Sequence, residues 1–452
     1  MVSIYQGGGK RRTGGKRKGP AQVSSATVTL EKWDPRGRGV CRTHQPVLFV
    51  DGALPGETCQ VAITRSKKQV CEGHVTKVLE PAPARQTPFC PVYEQCGGCQ
   101  LQHVERDAAL AWRQQALDEQ IRLTHSLNEL PWVAPLRSPR DTYRRKTRLA
   151  IDARKGKPLA LGFRASKSDK VVNVRQCPVL EPELNELLPP LHDLVEQLSG
   201  RTAIGHISLL KGYNGIGVTL RCTRALSADD RALLVAFAEA QTLLLRLDSG
   251  EHSETLHAPV DELLCATAHD LSLAVTTEDF IQVNAEVNLA MVEQALDWLA
   301  PEAQHNVLDL FSGLGNFSLP LAQRCASVTA VEGVSTMVQK GEKIARQQGI
   351  TNIQWRTADL SNEAELNALA LKKYHKVLLD PSREGALEAC QQIAKARVES
   401  VVYVSCNPAT FNRDLAPLLQ AGYRIVKLGI MEMFPYTQHI ESMALLERVA
   451  KG

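Results

Sequence analysis

Ser405-Cys406-Asn407-Pro408 follows the apolar run 401–404 and puts a cysteine immediately after an expected buried strand, where Pro408 ends strand pairing. A lone cysteine is more often a small core hydrophobe. At a strand end the same thiol can reach a ligand and act as a covalent nucleophile. An unperturbed thiol, with a pKa of about 8.5, is only a few per cent ionised at neutral pH, so the position is expected to favour the thiolate. Further on, Gln438-His439-Ile440-Glu441-Ser442 alternates like a strand and precedes another apolar run. On its own residues Glu441 is either a proton acceptor or a solvated strand-end carboxylate, with His439 as its rival.

A second constellation lies upstream. Asp309-Leu-Phe311-Ser-Gly313-Leu-Gly315-Asn316 is a strand running into a glycine-rich turn, the arrangement that brings backbone close to a ligand. The third small residue of a dinucleotide fingerprint is replaced by Ser318, which disfavours a dinucleotide. Glu332 closes the next strand, where a carboxylate can grip both hydroxyls of a ribose; Asp359 follows the run 353–355 and Asp380 closes the run 376–379. One such acid is commonly a helix cap. Several on one rim indicate a cofactor site.

The third constellation is Cys90-x5-Cys96-Gly-Gly-Cys99 together with Cys177 before Pro178. Four thiolates with two glycines between ligands suit a metal centre, and spacing alone leaves zinc and iron-sulfur both open. Twelve cysteines scattered through 452 residues do not describe a disulfide scaffold.

The elements that must position these residues have the texture of several globular domains. Residues 1–22 carry Lys10, Arg11, Arg12, Lys16, Arg17 and Lys18 among glycines and no acid, so a disordered arm suited to polyphosphate is expected. Without these six cations the charge is 47 basic against 49 acidic, which locates the net +4 in the tail. Residues 23–83 alternate in short strands separated by Asp51-Gly52 and Pro55-Gly56, as in a small β-barrel. A helix is expected over 104–121. Residues 84–270 read as a mixed α/β domain containing the cysteines, and 271–452 as strands alternating with helices around a mostly parallel sheet, whose ligands sit at strand carboxyl ends. The whole is α/β. No stretch reaches the roughly 20 apolar residues of a spanning helix, and the first thirty residues lack a secretory core, so a soluble cytoplasmic protein is expected.

Taken with Asp279-Phe-Ile-Gln282-Val-Asn284, these motifs resemble the RNA uracil-C5 methyltransferase family from about residue 25 to the C-terminus. The resemblance implies a C-terminal class I, Rossmann-like methyltransferase domain that uses S-adenosylmethionine. It further implies Cys406 as nucleophile, Glu441 as base, and cofactor contacts from Gln282, Phe311, Asn316, Glu332, Asp359 and Asp380. Relatives often read D-P-P-R where this chain has Asp380-Pro381-Ser382-Arg383, a departure that leaves the acid intact. The 23–83 segment is similar to a TRAM domain, an OB-type RNA-binding fold. The cysteines resemble those of the branch of the family that acts on 23S ribosomal RNA and holds a [4Fe-4S] cluster at Cys90, Cys96, Cys99 and Cys177. A monomer that binds 23S ribosomal RNA is expected. The run Tyr143, Arg144, Arg145, Lys146 and Arg148 reads either as a basic, aromatic-containing RNA patch or as a solvated charged face.

The implied chemistry accounts for the thiol. C5 of uracil is too weak a nucleophile to take a methyl group until a thiolate adds at C6, after which a base must remove the C5 proton for elimination. A cytosine-C5 methyltransferase would present Pro-Cys and an acid for N3, neither of which is found. A transfer RNA enzyme of the same family is the nearer alternative. A non-catalytic RNA-binding assembly factor is disfavoured by the presence of both Cys406 and Glu441.

Overall fold

The computed structural model describes residues 24–154 and 156–449; the basic arm expected over 1–22 lies outside them. Two compact units emerge, one of residues up to 87 with 103–116, the other of 88–102 with everything from 117 onward. The segment 88–102, which carries three of the four clustered cysteines, thus belongs to the second unit although both its flanks belong to the first.

In the first unit six strands form one sheet between Ser24 and Glu80. Alternation drives it: Leu48, Val50, Cys59 and Val61 are buried while their neighbours in sequence are less so. Register shifts along Thr58–Ser66, the bulges that curl a small sheet, recur three times. Glu57 is buried beneath it and accepts from Leu54 N at 2.8 Å, Ala82 N at 3.2 Å and Arg85 Nη2 at 2.7 Å. Burial pushes its pKa up, but Arg85 and these N–H groups outweigh burial and hold it below the usual range.

The second unit contains two larger sheets. A mixed seven-stranded sheet runs from Lys146–Asp152 to Ser253–His257, and helices Pro182–Gln197 and Ala228–Ala240 pack on it through Leu184, Leu188, Leu191 and Leu234. The other sheet comprises β1 (Asn306–Leu310), β2 (Ser327–Glu332), β3 (Ile353–Thr357), β4 (Lys376–Leu379), β5 (Ser400–Ser405), β6 (Tyr423–Met431) and β7 (Glu441–Arg448). Its order is 3-2-1-4-5-7-6, with β1 to β5 mutually parallel and β7 antiparallel to both neighbours. The central strands are apolar runs because helices cover both faces. Val307, Leu378, Val402 and Val404 meet Met291, Leu296 and Leu299 of helix Ala285–Leu299.

The expected helix spans Arg106–His125, starting and ending later than the apolar spacing suggested. The basic run is only partly exposed. Tyr143 and Arg145 are buried, Arg145 Nε donates to Gln282 O at 2.9 Å, Lys146 Nζ donates to Asp279 O, and Arg148 pairs with Glu278 at 3.2 Å. Arg145, Lys146 and Arg148 join the loop 278–282 to this segment, while Arg144 Nε donates to Lys146 O at 3.1 Å. Among the described residues no helix is long and apolar enough to cross a membrane.

Candidate active site

The carboxyl ends of β1, β2, β4 and β5 converge on one rim. β1 runs into Phe311, whose φ of 65° is a left-handed conformation that costs a non-glycine residue about 1–2 kcal/mol. The turn continues to Gly315 (φ 98°), where a Cβ would lie 2.8 Å from the Trp355 ring, so only glycine lets the turn sit on that indole. At the end of β2 the two oxygens of Glu332 accept from Gly313 N and Val334 N, each at 3.1 Å. The carboxylate is thereby fixed beside the turn. Asp359 is exposed after β3 and accepts from Ser361 N at 2.9 Å and Oγ at 2.7 Å, which lowers its pKa. Asn316 and Asn288 exchange side-chain hydrogen bonds at 2.9 and 3.1 Å, so the Asn316 amide is held from helix Ala285–Leu299. Gln282 is half-buried and fixed through its carbonyl by Arg145.

Burial pushes Asp309 and Asp380 up to about 7, with Asp380 and Glu332 adding to the effect at Asp309. Ser318 Oγ donates to one Asp309 oxygen, while the other has no partner among the described residues. An acid whose pKa is higher folded than unfolded favours the fold below the unfolded value of about 4 and loses that contribution as pH rises towards about 7. Asp309→Asn is therefore expected to match the parent at pH 4 and to exceed it at pH 8 by about 4 kcal/mol. Thermal melts at the two pH values check this, and an equal difference at both would contradict it.

β5 and β7 bring the chemistry together. Ser405 pairs with Ser442, so the antiparallel register sets Cys406, one residue beyond, beside Glu441, one residue before. Cys406 is half-buried and Glu441 is 4% exposed. Asn407 caps helix Pro408–Gln420 and donates from its side chain to Arg383 O at 2.9 Å, drawing the loop after Asp380 to the nucleophile. The other side of that loop is pinned by Asp414, which accepts from Ala386 N at 2.6 Å and Tyr403 OH at 2.7 Å. A Cβ on Gly385 would lie 2.3 Å from the same carboxylate. Arg383, to which the sequence assigned no role, lies near both Cys406 and Glu441, acts to lower both their pKa values, and meets the exposed His439 ring at 3.2 Å.

The expectation of a favoured thiolate fails in the free protein. Burial, then Glu441 and Asp380, push the Cys406 thiol up to about 12 against the opposing effect of Arg383. Glu441 is raised well above the usual carboxyl range by burial and Asp380. Three acidic groups crowd one pocket, and one cation only partly offsets them. Alkylation of Cys406 by iodoacetamide is accordingly expected to be at least about tenfold slower at pH 7.5 than for a free thiol, rising about tenfold per unit to pH 10. Mass spectrometry of the Cys406 peptide reads this out; a plateau near pH 8.5 would contradict it.

The four clustered cysteines share one neighbourhood. Burial raises Cys99 to about 12 and Cys177 to about 11, and in both cases the other thiols add to the rise. Cys99 and Cys177 pack on the buried apolar group of Tyr143, Val179 and Tyr436. Among the described residues no three His, Cys, Asp or Glu side chains close round a single ion.

A 3-2-1-4-5-7-6 sheet with a glycine-rich turn after β1 and a carboxylate ending β2 defines a class I methyltransferase fold. Residues 111–449 match the family described as tRNA (uracil-5-)-methyltransferase, and residues 22–76 match the TRAM domain. The chain belongs to this uracil-5-methyltransferase family and carries a TRAM domain at its N-terminal end. It is 45% identical to the 23S rRNA (uracil(1939)-C(5))-methyltransferase RlmD of Alteromonas naphthalenivorans, over 94% of this chain and 90% of that one. It is 43% identical to the protein of the same name from Vibrio cholerae, over 94% and 96%. In fold it is similar to the Pyrococcus abyssi tRNA (uracil-54, C5)-methyltransferase crystallised with S-adenosyl-L-homocysteine, with a TM-score of 0.70 at 20% identity over 93% of this chain and 100% of that one.

Proposed function

We propose that this protein transfers a methyl group from S-adenosylmethionine to C5 of a uridine in 23S ribosomal RNA. The observation that carries the reading is the β5–β7 register, which sets a cysteine and a carboxyl side by side at the ligand-bearing rim of a methyltransferase sheet. Cys406 Sγ adds to C6, and the electrons displaced from the C5–C6 bond make C5 nucleophilic. S-adenosylmethionine, as co-substrate, supplies an electrophilic methyl group. Glu441, once ionised, takes the C5 proton; the C5–C6 double bond re-forms and the C6–S bond breaks, returning the thiolate. The raised pKa of Glu441 makes its carboxylate a stronger base once ionised. Glu332 would hold the ribose of the co-substrate, with Gln282, Phe311, Asn316, Asp359 and Asp380 lining the rest of its site. The relatives' activity on ribosomal RNA supports a cytoplasmic protein acting on that RNA, and we read it as a monomer. Residues 1–22 would add non-specific phosphate contacts.

Cys90, Cys96, Cys99 and Cys177 fit a [4Fe-4S] cluster: four thiols in one neighbourhood supply its donor set, and each binds a different iron, so the sulfurs need not converge on one point. When bound, the cluster would cross-link the turn 88–102 to the segment at 177. Protein purified without oxygen is expected to contain iron and sulfide and to absorb near roughly 400 nm. Stoichiometric zinc in their place would overturn the assignment.

Tritiated methyl transfer to unmodified 23S ribosomal RNA and to transfer RNA, followed by nucleoside analysis, tests the function. Labelled 5-methyluridine in the ribosomal RNA alone is expected. Label confined to transfer RNA would refute the substrate assignment.

A further inference from the structure

The cysteine turn and the loop leading to Glu441 are joined by hydrogen bonds that neither metal binding nor the methyl-transfer chemistry requires. Gln100 N and Leu101 N both donate to Tyr436 O, at 2.8 and 2.9 Å, and Gln438 N donates to the Gln100 side-chain carbonyl at 3.3 Å. The other polar groups of Gln100 face its own turn: Nε2 donates to Gly97 O at 2.7 Å, and its backbone carbonyl accepts from Tyr93 OH at 2.6 Å. Gln100 therefore ties two segments together through its backbone N and its side-chain carbonyl, while its other two polar groups brace the cysteine turn itself.

The held loop needs holding. Tyr436 has a φ of 64°, a conformation costly for an aromatic residue. Its hydroxyl donates to Asp141 at 2.6 Å, its ring meets Phe89 edge-on at 5.0 Å, and the buried Tyr143 hydroxyl donates to Pro435 O at 3.2 Å. Thr437 Oγ1 accepts from His439 N at 3.2 Å, and β7 then begins at Glu441. The strained residue thus lies five positions before the carboxyl, in a segment whose carbonyl and amide are fixed from the cysteine turn. Glu441 is paired with Met431 at the first position of β7, so the tie bears on how the chain enters that strand; its side-chain part is the bond from Gln438 N, while the two bonds to Tyr436 O come from backbone. The nucleophile is held separately, by β5 and the Asn407 cap.

We propose that Gln100 is a positioning residue for Glu441, and that the cysteine turn serves the proton-removal step of the reaction rather than the attack. This rests on the reading of Glu441 as the base. The test uses the full-length protein with its metal content intact and separates the two steps. RNA bearing 5-fluorouridine at the target reports thiolate attack and methyl transfer, because fluorine cannot leave as a proton and the adduct persists; ordinary RNA reports the whole cycle. For Gln100→Ala, adduct formation with the fluorinated RNA is expected to stay within about twofold of the parent. Turnover on ordinary RNA falls about tenfold, with methylated adduct accumulating. Gln100→Glu keeps an acceptor for Gln438 N but loses the donor to Gly97 O, and is expected to recover part of the turnover. Melting temperature and thiol or iron content are measured on each variant. Unchanged turnover, an equal fall in both assays, or no recovery in Gln100→Glu would overturn the proposal. If the parent protein itself forms no adduct with the fluorinated RNA, the covalent reading of the site falls, and the inference with it.

Discussion

Replacing Glu441 with glutamine is expected to leave an RNA–protein adduct that survives denaturation and carries one methyl group, whereas Cys406→Ala forms no adduct with any substrate. Glutamine keeps the size and hydrogen-bonding reach of the residue but cannot take the C5 proton, so attack and methyl transfer proceed while elimination stalls. Turnover should fall by roughly a thousandfold in Glu441→Gln and to background in Cys406→Ala. His439→Ala should still release product. The His439 ring is exposed and engages Arg383 and Phe434, whereas the buried carboxyl is set beside the nucleophile by strand register. A denaturing gel with labelled RNA and co-substrate reads all three variants. If His439→Ala traps the adduct while Glu441→Gln turns over, the base has been misassigned.

The second large effect is expected at Glu332. Its two oxygens already accept from Gly313 N and Val334 N, so the carboxylate is oriented before any ligand arrives and loses little entropy in accepting ribose hydroxyls. Glu332→Ala should weaken S-adenosylhomocysteine binding by about a hundredfold, or about 2.7 kcal/mol. Asp359→Asn should cost less than about tenfold, because Asp359 is exposed and Ser361 competes for its oxygen. Titration calorimetry compares the two, and a larger loss at Asp359 would place the ribose elsewhere on the rim.

What could be read from the sequence follows the range of the signal. The strand ends at Glu332, Asp380 and Cys406 are local, each an apolar run meeting a polar residue, and the sheet aligns them because parallel strands share one polarity. The pairing of Cys406 with Glu441 depends on an antiparallel register between strands distant in sequence, and only the resemblance to a family supplied it beforehand. Charge pattern left 143–148 open: a basic run looks the same whether it faces solvent or holds a neighbouring loop, and here Arg145 and Lys146 donate to the carbonyls of Gln282 and Asp279. The thiol's raised pKa was equally hidden, since it arises from burial and from acids brought by other strands. Arg383 stood inside a quoted motif, yet its influence on the pocket emerges only once Asn407 draws its loop to the nucleophile.

The central claim, methylation of a uracil at C5 with loss of the C5 proton, is tested most directly with 23S ribosomal RNA carrying tritium at uridine C5. Incubated with S-adenosylmethionine, the protein is expected to release one tritium to water for each methyl group incorporated, and Glu441→Gln should incorporate methyl without that release. Methyl incorporation by the parent protein with no tritium released would place the methyl group on another atom and contradict the account.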